Sequence, residues 1–228
     1  GVTRSGGFAR FVSAPESAVY SIGELPFAEA ALLEPLACVA WGLEQVQPQA
    51  GDRLLIFGAG PMGILMLQAA KSAGAAAVVI VDREAWRLKL AENLGANAAV
   101  LADEVGEKTL KEHAPYGFDI VADATGVPGV IENTFRYVKP GGKLWIFGVT
   151  AADAQVPFAP FDVFRRDLKI IGSFALNKTF HEAIALVQGG AVKLEPLVSH
   201  QLPLKEFSRG FELAERDPKR MKVQYAFD

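Results

Sequence analysis

Residues 53–63 read RLLIFGAGPMG, and the order of side chains in this stretch decides the fold. Leu54, Leu55, Ile56 and Phe57 form an unbroken apolar run, the pattern of a strand buried on both faces of a parallel sheet. The run breaks at Gly58-Ala59-Gly60-Pro61-Met62-Gly63, and a helical pattern follows at once through Ile64, Leu65, Leu67, Gln68, Ala69 and Ala70. Strand, glycine turn and helix stand in the order that a dinucleotide-binding βαβ unit requires. Gly58 permits the tight turn, Gly60 lets the backbone come close to a pyrophosphate, and Gly63 lets the helix pack closely on the sheet. The helix N-terminus offers N–H groups and a positive dipole end to the phosphates.

A glycine turn alone is weak evidence, since such turns are common. Here Gly74 ends the helix, Ala77 to Val81 form a second apolar strand, and Asp82 stands at its end, 19 residues after Gly63. An acid at that point accepts hydrogen bonds from the adenosine ribose and repels a 2′-phosphate, which predicts NAD rather than NADP. The plainer alternative is an ordinary crossover in which Asp82 only caps the next helix. Arg83 pulls the other way on cofactor choice, because a guanidinium beside the ribose would pair a 2′-phosphate.

Bulk properties bound the rest. A chain of 228 residues accommodates one large domain or two small ones, and its half-hydrophobic composition with 22 glycines suits a buried α/β core with many turns. The net charge of −3 gives no reason to expect nucleic acid or an anionic membrane as partner. No apolar run approaches the roughly 18 residues of a membrane span, and no N-terminal segment reads as a signal peptide. The single cysteine, Cys38, excludes internal disulfides and a four-cysteine zinc site, and predicts a reducing, cytoplasmic compartment. The histidines at 113, 181 and 200 show no metal-ligand spacing.

Along the chain, Phe8 to Val12 and Ala18 to Ile22 are expected as short strands, and a helical pattern begins at Phe27 with Pro35 near a helix start. Beyond Asp82 the expected order is helix 84–94, strand 98–101, helix 105–113, a strand from Phe118 into Asp123-Ala124-Thr125-Gly126, and helix 127–137. A turn at 139–142, strand 144–149 and strand 168–174 follow, then a capping box at Thr179 and Glu182, helix 204–215 and strand 221–227. Such alternation makes an α/β doubly wound parallel sheet with ligands at the carboxyl ends of its strands. His181 reads as a surface or capping group and Asp217 to Arg220 as a solvated turn. Ser199-His200 does not read as a hydrolase pair, because adjacent strand residues point to opposite faces.

The segments GGFARFV (6–12), ALLEPLACVAWGL (31–43), GDRLLIFGAGPMG (51–63), FDIVADATG (118–126), KPGGKLWIFGV (139–149) and LKIIGSF (168–174) together resemble the medium-chain zinc-dependent alcohol dehydrogenases. The likeness is strongest to their polyol branch, the sorbitol and L-iditol dehydrogenase type. It implies a Rossmann domain over 36–175, flanked by parts of a GroES-like catalytic domain at 1–35 and 176–228. Family members carry their zinc ligands, a Cys and a His-Glu pair, in a segment that the resemblance sets before Gly1. The chain therefore corresponds to a C-terminal portion lacking that segment, with zinc expected in the parent protein and not in this chain.

By the same resemblance, Gly58, Gly60, Pro61, Met62, Gly63, Asp82, Arg87, Thr125, Phe147, Gly148, Val149, Ser173 and Phe174 line the cofactor. Glu34 matches a catalytic position beside the zinc and serves as a metal ligand only if the others are supplied. Its plainer reading is a carboxylate in the first turn of a helix, and that of Cys38 is a small buried core residue. The implied activity is NAD-linked oxidation of a secondary hydroxyl in a polyol or sugar alcohol. Zinc polarises the alcohol oxygen and hydride passes to nicotinamide. A threonine or simple alcohol dehydrogenase of the same family and a non-catalytic NAD-binding module are the alternatives. A homo-oligomer is expected, from apolar side chains exposed along 8–12 and 221–227 and from pairing of nucleotide domains near 144–149.

Overall fold

Leu54, Leu55 and Ile56 are fully buried in the computed structural model, which describes residues 5–227 except for the side chains of 104–107. Burial is complete because parallel strands flank this run on both edges and helices cover both faces. The chain divides into two compact units, residues 32–194 and residues 1–31 with 195–228. Helix α1 (Phe27–Ala30) belongs to the smaller unit. The larger runs α2 (Leu33–Val46), β1 (Arg53–Phe57), α3 (Pro61–Ser72), β2 (Ala77–Asp82), α4 (Ala85–Asn93), β3 (Ala98–Leu101) and α5 (Glu104–His113). It continues through β4 (Phe118–Asp123), α6 (Pro128–Thr134), β5 (Val138–Ile146), α7 (Pro160–Arg165), β6 (Lys169–Gly172) and α8 (Phe180–Gln188).

The six strands are all parallel, in the order β3-β2-β1-β4-β5-β6. This is the doubly wound order of dinucleotide-binding domains, with its switch point between β1 and β4. Alternate residues of β1 face opposite layers. Ile56 faces α3, while Leu55 joins Val79, Val121 and Leu144 in a cluster closed by Leu110 of α5. Helix α2 packs against α3 and α8. Two buried polar side chains fasten these helices. The Gln68 amide pairs with both the N–H and the carbonyl of Lys193, at 2.8 and 3.2 Å. Thr179 Oγ1 donates to the Ala37 carbonyl at 2.6 Å and also contacts the Leu176 carbonyl. Thr179 is the N-cap residue of α8, yet its hydroxyl turns inward to α2, so the expected capping box does not form. The packing of α8 on α2 sets 180–188 within the larger unit, where the sequence division ran at 35 and 175.

Three strand limits differ from expectation. β5 begins at Val138, so the expected 139–142 turn lies within the strand, accommodated by a shift of register between Phe118 and Ile120 of β4. It ends at Ile146 instead of Val149, because the Phe147 and Gly148 N–H groups both donate to the Asp123 carbonyl and turn the chain across β4. β6 ends at Gly172, and Ser173 beyond it accepts the indole N–H of buried Trp145 at 2.9 Å.

The smaller unit pairs β7 (Val198–Pro203) with β8 (Lys222–Ala226) in parallel under α9 (Phe207–Arg216). Among the described residues its sheet has these two strands, and residues 8–12 and 18–22 form none, with a 3-10 turn at Glu16–Ala18. Phe8 is held instead by edge-on contacts with Phe207 and Tyr225, at 5.7 and 5.4 Å. Phe11 and Val12 are exposed as expected, whereas Met221 is buried.

Gly42 of α2 lies against Trp145 so closely that a Cβ there would stand 2.1 Å from the ring. A flat indole locked by the Ser173 hydrogen bond has little room to yield. Gly42→Ala is expected to cost about 1–3 kcal/mol through overpacking, measured by denaturant unfolding followed through tryptophan fluorescence. Wild-type stability in this variant would show that the indole moves freely.

Candidate functional site

Where the paired strands β1 and β4 end, the chain turns on glycines and two aspartates. Gly58 adopts φ +103°, a left-handed conformation that turns the chain directly off β1, and its N–H donates to the Val81 carbonyl at 2.7 Å. Gly60 is the N-cap of α3 and Pro61 its first residue, where the missing N–H costs nothing. A Cβ on Gly63 would stand 1.7 Å from the Gly58 carbonyl oxygen, so packing of the loop on its own helix demands glycine. Gly60 is different. A Cβ there would meet only Arg87 Nη1, at 4.0 Å, so the fold itself leaves its outward side open.

Asp82 ties this loop to the neighbouring strand. Its Oδ2 accepts the Ala59 N–H at 2.6 Å, its Oδ1 accepts the Glu84 N–H at 2.9 Å, and Arg87 Nη1 lies 4.0 Å away. The carboxylate thus braces the turn ahead of α4 without capping that helix, whose N-cap is Glu84, and also reaches across to the glycine loop. A carboxylate has about four lone-pair positions, so roughly two remain for a ligand.

Asp123, which sequence reasoning passed over, organises the other side. It is fully buried at the end of β4. Oδ1 accepts the N–H and hydroxyl of Thr125, at 3.0 and 2.5 Å, and Oδ2 accepts the Gly126 N–H at 3.0 Å. With Phe147 and Gly148 on its backbone carbonyl, this one residue brings Thr125 and the 147–149 segment side by side. A Cβ on Gly148 would stand 2.1 Å from the Gly126 nitrogen. The signal was present as an acid closing an apolar strand before Thr and Gly, the pattern of an Asx turn.

Around these groups the strand ends carry exposed apolar side chains. Val149 and Phe174 are each 92% exposed, and Val127 is half exposed. Phe174 is followed by Ala175, Asn177 and Lys178, all at positive φ, a run of left-handed residues that L side chains rarely adopt. Ser173 faces inward to Trp145. Pro61 and Met62 are half-buried in the first turn of α3.

Glu34 is exposed on the first turn of α2 and meets Cys38, whose Sγ lies 3.6 Å from Oε1. Burial, and then the Glu34 charge and hydrogen bond, push the Cys38 thiol up to about 11, so it is held as the protonated thiol. Among the described residues no three His, Cys, Asp or Glu side chains converge to hold a metal ion, so these residues by themselves do not fit a zinc site.

Ser199 and His200 do meet, contrary to expectation, because a shift of register between Val198 and His200 brings Ser199 Oγ 2.9 Å from His200 Nδ1. The hydroxyl donates to the Lys222 carbonyl and accepts the Met221 N–H, and His200 Nε2 lies 3.3 Å from Asp217. With its proton spent on a carbonyl, Ser199 clasps β7 to β8 and is no nucleophile.

The zinc-binding dehydrogenase family matches residues 61–189, more than half of the chain. The chain belongs to that family. It is 41% identical to D-altritol 5-dehydrogenase of Agrobacterium fabrum, over 99% of this chain and 67% of that protein. To D-arabinitol dehydrogenase 1 of Uromyces fabae it is 32% identical, over 93% of this chain and 62% of that protein. A zinc-binding dehydrogenase of Sinorhizobium meliloti solved with NADP superimposes with TM-score 0.88 at 30% identity, over 98% of this chain and 66% of that one. L-idonate 5-dehydrogenase of Escherichia coli gives TM-score 0.80 at 26% identity, over 89% and 57%. The chain thus spans 57–67% of the length of these relatives. The doubly wound sheet is the family's fold.

The two loop glycines separate by experiment. Gly63→Ala is expected to cost at least about 3 kcal/mol, since backbone must move, while Gly60→Ala stays within about 1 kcal/mol of wild type in thermal or denaturant melts. Equal losses would show that the loop relaxes as a whole. Cys38 is expected to alkylate slowly with iodoacetamide at pH 8, with a rate that climbs towards pH 11, and Glu34→Gln should accelerate it. Fast alkylation at pH 8 in wild type would contradict the contact with Glu34.

Proposed function

We propose that this chain binds NAD at the carboxyl ends of β1, β2 and β4 and serves the oxidation of a secondary hydroxyl in a polyol or sugar alcohol. The observation that carries the cofactor reading is the Asp82 carboxylate, bonded at 2.6 Å to the Ala59 N–H inside the glycine loop. That contact joins the two halves of a dinucleotide site, the phosphate turn and the ribose acid. The Gly58–Gly63 backbone and the N-terminus of α3 hold the pyrophosphate, Gly60 leaving the space for it. Asp82 and Arg87 attend the adenosine ribose. Thr125, the 147–149 backbone, Ser173 and Phe174 border the nicotinamide end, where exposed Val149 and Phe174 exclude water once covered. The bound nicotinamide supplies the hydride acceptor.

The alcohol class is supported by relatives named for altritol and arabinitol. Glu34 matches a catalytic position by resemblance, and the described residues alone do not supply the further ligands a zinc ion beside it would need. Parts of a GroES-like catalytic domain at both ends, self-association along the exposed edge strand β6, and a cytoplasmic setting suited to a single free thiol complete the reading.

Calorimetric titration with NAD and NADP tests the cofactor. NAD is expected to bind more tightly by about 1–3 kcal/mol, because Asp82 faces the 2′-position. Equal or tighter binding of NADP, the cofactor with which the Sinorhizobium relative was solved, would overturn the preference. Gly60→Val is expected to abolish NADH binding while circular dichroism stays unchanged, because the side chain fills the pyrophosphate space. Normal NADH affinity in this variant would reduce the loop to a crossover.

A further inference from the structure

Trp145 is fully buried near the carboxyl end of β5, yet it carries a polar N–H into the core. In the parallel register it stands opposite Ile171, and Ser173, two residues further on, continues the same side of that chain. The long indole reaches diagonally across, and its Nε1–H donates to Ser173 Oγ at 2.9 Å. Along its own chain, Phe147 meets the ring edge-on, with centroids 5.5 Å apart and planes at 86°. Gly42 of α2 approaches the same ring too closely to admit a Cβ. One rigid side chain thus holds two segments just where each leaves the sheet. Phenylalanine or leucine would also fill the core, but neither has a donor for Ser173. With Ser173 fastened inward, the next residue, Phe174, is turned out and 92% exposed.

We propose that Trp145 is a positioning residue for the nicotinamide half of the dinucleotide, an inference that rests on the NAD reading above. That reading sets two segments at the nicotinamide end, Ser173 with Phe174 and the 147–149 backbone, and both lean on this ring. The groups it assigns to the adenosine half, the glycine loop and Asp82, are bonded to one another at the ends of β1 and β2. Strand β4 lies between them and β5. Opening the Trp145–Ser173 bond therefore loosens one half of the site and leaves the other. Linkage makes the effect reciprocal: the factor by which the bond raises nicotinamide affinity is the factor by which bound nicotinamide favours the bond.

The test uses the full chain and two ligands that differ in the nicotinamide ring, NADH and ADP-ribose, titrated by calorimetry. Trp145→Phe is expected to lower NADH affinity about fivefold to tenfold, as for the loss of one hydrogen bond, and to leave ADP-ribose within about twofold of wild type. Ser173→Ala breaks the same bond from its other end, so the double variant should lose no more than the weaker-binding single variant. A merely structural Trp145 would weaken both ligands alike. Wild type supplies a measurement that needs no variant to fold. Hydrogen exchange of the Trp145 indole N–H, followed by nuclear magnetic resonance, is expected to slow about fivefold to tenfold more with NADH than with ADP-ribose. Equal losses for both ligands, no loss for either, losses that add in the double variant, or equal protection by both ligands each overturn the inference while the dinucleotide reading stands. Wild type binding neither ligand overturns both.

Discussion

The carboxyl edge of the sheet depends on one close approach, that of α3 to the turn from which it springs. With Gly63 in place the helix start lies on the Gly58 carbonyl, where any side chain would stand 1.7 Å from the oxygen. That approach aims the first turn of α3 over the end of β1. It also sets the Ala59 N–H where Asp82, at the end of the adjacent strand, accepts it. Loop, helix and neighbouring strand are locked by contacts too short to admit alternatives, and interiors at this density transmit any displacement.

Asp123 plays the matching part on the far side of the switch point. A buried carboxylate costs dearly unless hydrogen bonds satisfy it, and this one accepts three from Thr125 and Gly126. Its backbone carbonyl takes two more from Phe147 and Gly148. Aspartate thus positions backbone on both sides of β1, with Arg87 stacked on Trp86 beyond β2 and exposed Val149 and Phe174 beyond β5 and β6.

Such an arrangement separates binding from chemistry. The glycine turn, Asp82 and the Asp123 turn all lie within residues 32–194, at the carboxyl ends of strands of one sheet. Glu34, paired with a protonated Cys38 on α2, contributes one carboxylate and no metal site by itself. Zinc-type alcohol oxidation requires three or four ligands in fixed geometry, and family membership speaks for that chemistry where this pair of residues cannot.

The sheet, its order of elements and the glycine turn were legible because they follow from local rules: an unbroken apolar run, glycines at set spacing and an acid at the next strand end. Expectations failed where a distant group competed for a local one. Thr179 gave its hydroxyl to Ala37 instead of its own helix, Phe8 found rings in place of a partner strand, and Asp123 drew 147 and 148 out of β5. The stacking of Arg87 on Trp86 belongs to the same class. The residues are adjacent in the chain, but the approach of the guanidinium to Asp82, at 4.0 Å, joins α4 to the end of β2. Periodicity and spacing report what the chain does along its own length, and they determined the fold class and the glycine turn. The direction of each side chain at the crevice was decided only in the tertiary structure, where hydrogen-bond partners come from strands far apart in sequence.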